Sequence, residues 1–218
     1  MTRPKLIRII LKLKSTNDLH VTRKIWHLSA ITLYAFVYYN LSHPMAVQLS
    51  FLFLLFCVGI DVSRLSFPKL NDKLFIILKP IARTHEFSTF AGTTFFSIGA
   101  FVIVWVFPKS VVLLSLLLLA FADPIASAVG ILYGKEKIFK NKTLQGSFAA
   151  LLTCSFISCL YFLITQNMSE RLFIVSILAG FIGSFAELFT PWDIDDNFSF
   201  PITSAIGLWG LFYIFGGF

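Results

Sequence analysis

The sequence predicts an all-α integral membrane protein, and three observations predict it. Of 218 residues, 57% are hydrophobic and 13% charged, with a mean hydropathy of +0.82, whereas soluble domains carry about 25% charged residues. Seven apolar segments recur, at roughly 25–42, 44–62, 90–107, 110–133, 146–165, 172–190 and 201–217. Several are near the ~20 residues that a helix needs to cross a hydrocarbon core of about 30 Å. The loops between them alternate in charge. Residues 1–24 hold seven, 63–89 five and 134–145 four of the 18 Lys and Arg residues, leaving Lys109 and Arg171 for the opposite side. The positive-inside rule then predicts seven spans with a cytosolic N-terminus. The net charge of +7 is therefore mostly topology and predicts no nucleic-acid partner.

Residues 1–24 set Leu6, Ile10 and Leu13 among Lys5, Arg8 and Lys12. That spacing reads as a basic helix lying on anionic lipid, not as a secretory signal. Residues 25–218 read as a single transmembrane domain, since no linker divides them. Cys57, Cys154 and Cys159 lie in apolar runs without metal-ligand spacing and read as small hydrophobes. The first span is entered through Arg23-Lys24-Ile25-Trp26-His27, a snorkelling basic pair with an interfacial tryptophan, His27 sharing a face with Arg23. Arg83-Thr84-His85-Glu86 precedes the third span and reads as a local Arg–Glu pair.

The fourth apolar segment carries the sharpest signal, Asp123 followed by Pro124 inside a hydrocarbon-grade helix. A charge at membrane depth costs about 2.5–3.5 kcal/mol on insertion scales, so it marks a functional candidate. Asp is also a good N-cap and Pro suits the first helical position. The segment is thus expected to be two half-helices broken at 122–123, with Ser127, Gly130 and Gly134 on the face of Asp123. Ten residues separate Asp123 from Tyr133, about 15 Å along a straight helix, which sets Asp123 toward mid-membrane unless the break or a vestibule relieves it. The basic loop that follows, Lys135 to Lys142, can clamp phosphates as point charges. It is not a Walker A loop, because the spacing is one short and Glu136 replaces the hydroxyl. The loop 190–200 has no Lys or Arg but holds Asp193, Asp195, Asp196 and Asn197. Its oxygens suit Mg²⁺ or Ca²⁺, or a helix cap.

Arg23-Lys24-x-x-His27, Asp123-x-x-Ala126-x-x-x-Gly130-x-x-x-Gly134-Lys135 and Asn141-Lys142-Thr143-Leu144-x-Gly146-Ser147 together resemble the CTP-dependent lipid kinases. That group comprises dolichol kinase, phytol kinase and the yeast-type diacylglycerol kinase. The run from Glu187 to Asp195-Asp196-Asn197-Phe198-x-x-Pro201-Ile202, with Arg83-x-x-Glu86, is similar to the diacylglycerol kinase branch. The resemblance implies transfer of the γ-phosphate of CTP to a membrane lipid alcohol, diacylglycerol being favoured, at a site facing the cytosol. The membrane would be the inner membrane of a bacterium or the endoplasmic reticulum of a eukaryote. It implies that Asp123 holds a divalent cation (Mg²⁺ or Ca²⁺) or orients the lipid hydroxyl, with Arg23, Lys24 and His27 beside it. Gly130, Gly134, Lys135, Lys137, Lys142 and Thr143 would bind the nucleotide phosphates. Asp195, Asp196 and Asn197 would complete the metal site, and Arg83, Glu86 and Glu187 would support it.

Phosphatidate cytidylyltransferases resemble the same core and form the first alternative, making CDP-diacylglycerol. They usually show Glu where this chain has Gln145, and a late Arg-bearing element that is missing here. Polyprenol, dolichol or phytol kinase is a second alternative. A transporter would place polar residues at several depths, whereas apart from Asp123 and Glu187 the charges avoid the spans.

Overall fold

The computed structural model describes residues 20–140, 142–189 and 194–218. Most of the basic helix expected in 1–24, and the candidates Asn141 and Asp193, lie outside the described residues. The elements run α1 (Val21–Asn40), α2 (His43–Ser66), α3 (Pro68–Leu78), a 3₁₀ turn (Thr84–Phe87), α4 (Gly92–Val106) and α5 (Lys109–Tyr133). A two-strand hairpin follows, β1 (Lys137–Phe139) and β2 (Lys142–Thr143), then α6 (Leu144–Thr165), a 3₁₀ turn (Ser169–Arg171), α7 (Leu172–Leu188) and α8 (Asp196–Phe215).

Each of the seven apolar segments forms a helix. Among the described residues, α2, α5, α6, α8 and the run Ser169–Leu188 are long and apolar enough to cross a membrane. The apolar α4 has only 15 residues, and α1 carries Arg23, Lys24 and His27 in its first two turns. Two elements were not expected. Residues 63–89 contain α3, started by Pro68 at its first position, where the missing amide costs nothing. Residues 134–145 contain the antiparallel hairpin, with Lys137 opposite Thr143.

Helix α5 is the central column. It packs on α1, α6, α7 and α8, and Val111, Val112, Leu114, Leu116, Leu118 and Ala120 are all fully buried. A helix apolar on every side suits a bundle core or a membrane span, and α5 is enclosed by its neighbours. The enclosure also corrects the expected break at 122–123: α5 runs through Pro124 without interruption, and Asp123 caps nothing. Proline removes one amide and crowds the carbonyl four residues back, but packing on several sides carries the helix past it. Helix α8 starts five residues before Pro201, because Asp195 caps it through the Asn197 amide at 3.0 Å. Gly99 lets α4 lie against α8, since a Cβ there would come within 3.0 Å of Pro201 Cγ.

One buried ion pair organises the turn between α3 and α4. Arg64 and Asp61, at the end of α2, are each about 3% exposed. Arg64 Nε donates to Asp61 Oδ1, and its other nitrogens donate to Asn71 Oδ1 and to the carbonyls of Glu86 (2.8 Å) and Thr89 (2.6 Å). Asp61 Oδ2 accepts from the Ala91 amide at 2.8 Å and from Thr94 Oγ1 at 2.6 Å. Every group has a partner, which is the condition for tolerating a buried pair. Arg64→Gln leaves Asp61 buried and uncompensated, so it is expected to cost about 3–5 kcal/mol of stability. Thermal unfolding in detergent reads this as a large fall in midpoint, and a double change to Asp61→Asn/Arg64→Gln recovers part of it.

Candidate active site

The starts of α1, α4 and α8, the end of α7, the 3₁₀ turn at 84–87 and strand β2 all deliver polar side chains to the level of Asp123 on α5. His27, six residues into α1, puts Nε2 at 3.7 Å from Asp123 Oδ2, their side chains 13% and 22% exposed. Along α1 that is about 9 Å from the start of the helix, so the site lies near one end of the bundle. The last ten residues of α5 project beyond it, which accounts for the 15 Å that separates Asp123 from Tyr133.

Around this pair the charges interlock. Lys142 Nζ donates to Glu187 Oε1 at 2.6 Å, the glutamate being 3% exposed. Burial works to lower the Lys142 ammonium, and the carboxylates of Glu187, Asp123 and Asp196 more than reverse that, so it stands above the ordinary lysine range. Arg83 reaches across to the start of α8, with NH1 at 3.1 Å from Asp195 Oδ2 and NH2 at 3.6 Å from Asp196 Oδ1. Burial opposes its charge too, and Asp196 and Asp195 restore it and raise it further. The local Arg83–Glu86 pair read from the sequence is therefore corrected: the guanidinium finds its partners 112 residues away. The Glu86 carboxylate instead accepts from the amides of Arg83 (3.1 Å) and Gly92 (3.3 Å) and lies 3.5 Å from Arg23 NH1. Gly92 is required there, because a Cβ would come within 2.9 Å of Asn197 Nδ2.

Most of the candidate residues thus come together: Arg23, Lys24, His27, Arg83, Glu86, Asp123, Lys142, Glu187, Asp195, Asp196 and Asn197. Others do not. Lys135 and Lys137 are exposed on the hairpin and its approach. Gly130, Gly134 and Thr143, expected to bind phosphate, pack on one another: Thr143 caps α6 by accepting from the Gly146 amide at 3.2 Å, and a Cβ on Gly130 would come within 3.0 Å of its Oγ1. Gln145 Oε1 accepts from the Lys135 amide at 3.0 Å and fixes the same loop. The glycines serve a close helix approach, as small residues do in membrane bundles.

The residues expected to hold a metal differ in how far the protein already engages them. Asp195 is held by the amide of Asn197, by Asn197 Nδ2 at 2.6 Å and by Arg83, so both its oxygens are engaged. Burial, then Asp196 beside it, pushes the Asp195 carboxyl upward. Among the described residues no three His, Cys, Asp or Glu side chains converge as a metal cage. Three buried polar atoms, Lys24 Nζ, His27 Nε2 and Glu187 Oε2, lack a hydrogen-bond partner among the described residues. Leaving such groups unsatisfied costs about 1–3 kcal/mol each, which points to a polar ligand at this end of the bundle. The sequence reading overlooked Asp61 and Asn71, although Asp61-x-x-Arg64 at the end of an apolar helix was a readable sign of a buried pair.

Fold and site define a helical membrane protein with an interlocked cluster of charged side chains at one end. The chain is 34% identical over 155 residues to a CTP-dependent diacylglycerol kinase of Schizosaccharomyces pombe, covering 66% of this chain and 71% of that protein. It is 33% identical over 212 residues to the enzyme of the same name from Eremothecium gossypii (85% and 65%). It is 29% identical over 212 residues to that of Saccharomyces cerevisiae (85% and 71%). The chain belongs to the CTP-dependent diacylglycerol kinase family. No protein-family model matches it, and no solved structure does.

The geometry separates the lysines. Lys142→Ala removes the partner of Glu187 and is expected to lower phosphotransfer at least about 100-fold. Lys135→Ala and Lys137→Ala, outside the cluster, are expected to stay within about threefold, a change of under 1 kcal/mol. Turnover of the purified variants with labelled CTP checks the contrast.

Proposed function

We propose that this chain is a CTP-dependent diacylglycerol kinase, transferring the γ-phosphate of CTP to the free hydroxyl of diacylglycerol and releasing CDP and phosphatidate. The observation that carries the reading is Asp123, charged and set in an apolar helix, with His27 at 3.7 Å and Lys142, Lys24 and Arg23 within electrostatic reach. The names of its relatives supply the nucleotide and the lipid. The lipid oxygen attacks the γ-phosphorus, the bond to the β-phosphate oxygen breaks, and the hydroxyl proton passes toward Asp123 with His27 beside it. Phosphoryl transfer asks chiefly for positioning and charge stabilisation. Arg23, Arg83 and Lys142, fixed in advance by their carboxylate partners, supply it together with Lys24.

Those carboxylates already balance the cations, so a triphosphate arriving here brings charge that the protein alone leaves uncompensated. A divalent cation supplies the difference when bound. Mg²⁺ is usually held by one or two carboxylates plus substrate phosphates, whereas Ca²⁺ takes six to eight oxygens. Asp123 and Asp196 fit the first pattern, and they are the residues that would hold it.

Segments 20–24, 83–87, 142–143 and 195–197 all meet at the site, and the basic loops stand at this end. By the positive-inside rule this end is cytosolic. That reading makes α1 and α4 spans as well, with seven crossings, one catalytic domain over 25–218 and the basic segment 1–24 on the cytosolic surface. A cytidylyltransferase shares the core but attacks the α-phosphorus. Incubation with α- and γ-labelled CTP decides: γ-label in phosphatidate is expected, while α-label in CDP-diacylglycerol with pyrophosphate release refutes the kinase reading. Asp123→Asn keeps the helix and is expected to lower γ-transfer at least about 100-fold. Asp196→Asn is expected to raise the Mg²⁺ needed for half-maximal rate, whereas Asp195→Asn lowers stability without moving that requirement. Metal titrations beside melting curves read both.

A further inference from the structure

We propose that the cleft between α1, α2 and α4 holds an acyl chain of the lipid acceptor, with Ala46 at its far end setting the chain length admitted. This rests on the kinase reading above and adds where the lipid sits. The cleft has a volume of about 630 Å³, within the range of small-molecule sites. Its two ends differ in chemistry. Arg23, His27, Glu86 and Asn197 line one end, and the remainder is chiefly apolar, carrying the hydroxyls of five Ser, Thr and Tyr residues. The polar residues are those of the site beside Asp123, so the cleft is continuous with the place where phosphate transfer would occur.

The cleft exists because α1 and α2 part company. They are consecutive, yet α1 packs on α5 while α2 packs on α4. Its floor is buried, with Ile31, Tyr38 and Ala46 between 1% and 3% exposed. Its rim is open, with Leu33, Val37 and Leu49 between 38% and 63% exposed. An apolar rim on a membrane helix faces lipid, so the opening is lateral, onto the bilayer. A nucleotide has no use for such a surface. A lipid alcohol needs both halves: hydrocarbon to keep its chain out of water, and a polar end to receive its neutral hydroxyl. From His27 to Leu41 the cleft follows 14 residues of α1, about 21 Å of helix. That exceeds the ~15 Å of one leaflet's hydrocarbon, enough for a full membrane acyl chain. Midway, Tyr34 OH and Ser50 Oγ form a 2.7 Å hydrogen bond from α1 to α2, fixing the width. Ala46 lies beyond that bond on α2, where a larger side chain would shorten the cleft.

The test compares diacylglycerols of two chain lengths as acceptors for the unaltered enzyme and for Ala46→Leu. The ratio of kcat/KM for long-chain over dioctanoyl acceptor is expected to fall at least about tenfold, as pocket discrimination against excess methylenes does. A partly misfolded variant lowers both rates together and leaves the ratio alone, so a diacylglycerol with a diazirine in mid-chain provides the second measurement on the unaltered enzyme. Photolabel on peptides of α1 and α2 that border the cleft supports the proposal. An unaltered ratio with label confined to other helices overturns it. If no lipid alcohol is phosphorylated by the unaltered enzyme, the kinase reading fails, while label in the cleft still supports an acyl-chain site.

Discussion

The polar end of this molecule depends on a charge pair buried from solvent. Asp61 and Arg64 lie buried at the end of α2 and together bond to α3, to the 84–89 turn and to the start of α4. Desolvating two ions is recovered only when geometry and secondary hydrogen bonds are complete, and arginine's planar fork completes them here. The consequence reaches the site. Holding the Glu86 and Thr89 carbonyls places the Glu86 side chain under Arg23 and beside Gly92, and Gly92 in turn borders Asn197. Four elements distant in sequence are thereby set in register by one guanidinium.

The second constraint is enclosure of α5. Its apolar half is buried on all sides, and its last third is gripped by glycine contacts, Gly146 standing close enough that a Cβ would come within 2.9 Å of the Ala126 carbonyl. In a bilayer such packing, rather than hydrophobic exclusion from water, holds helices together. It keeps α5 helical through Pro124 and so fixes the height and facing of Asp123. Gly130, Gly134 and Thr143, expected from the sequence to bind phosphate, take part in this packing.

The network of ion pairs would serve the proposed phosphoryl transfer as well as stability. Arg83 between Asp195 and Asp196, and Lys142 on Glu187, hold cations at fixed positions in a low-dielectric setting, where preorganised charge stabilises a transition state with little rearrangement. Close matching of charge around Asp123 also permits a carboxylate at this depth, which alone would be costly.

Composition and period alone determined the helical class and the position of each apolar helix, because a backbone in hydrocarbon must bond to itself within each segment. Asp123, Arg23, His27, Lys142 and the 195–197 group were legible as candidates, since a charge in or beside an apolar run stands out against its surroundings. Pairing was not legible. Arg83 chose Asp195 and Asp196 over nearby Glu86, and Lys142 chose Glu187, because ion pairs form between side chains that folding brings near, whatever their separation in the chain. The same reason turned Gly130, Gly134 and Thr143 into packing residues and left Lys135 and Lys137 in the open. Asp123-Pro124 reads locally as a cap and a break; only neighbours packed on several sides of α5 could make it a continuous helix. The cleft between α1 and α2 was likewise beyond the sequence, since it arises from which helix each of them packs against.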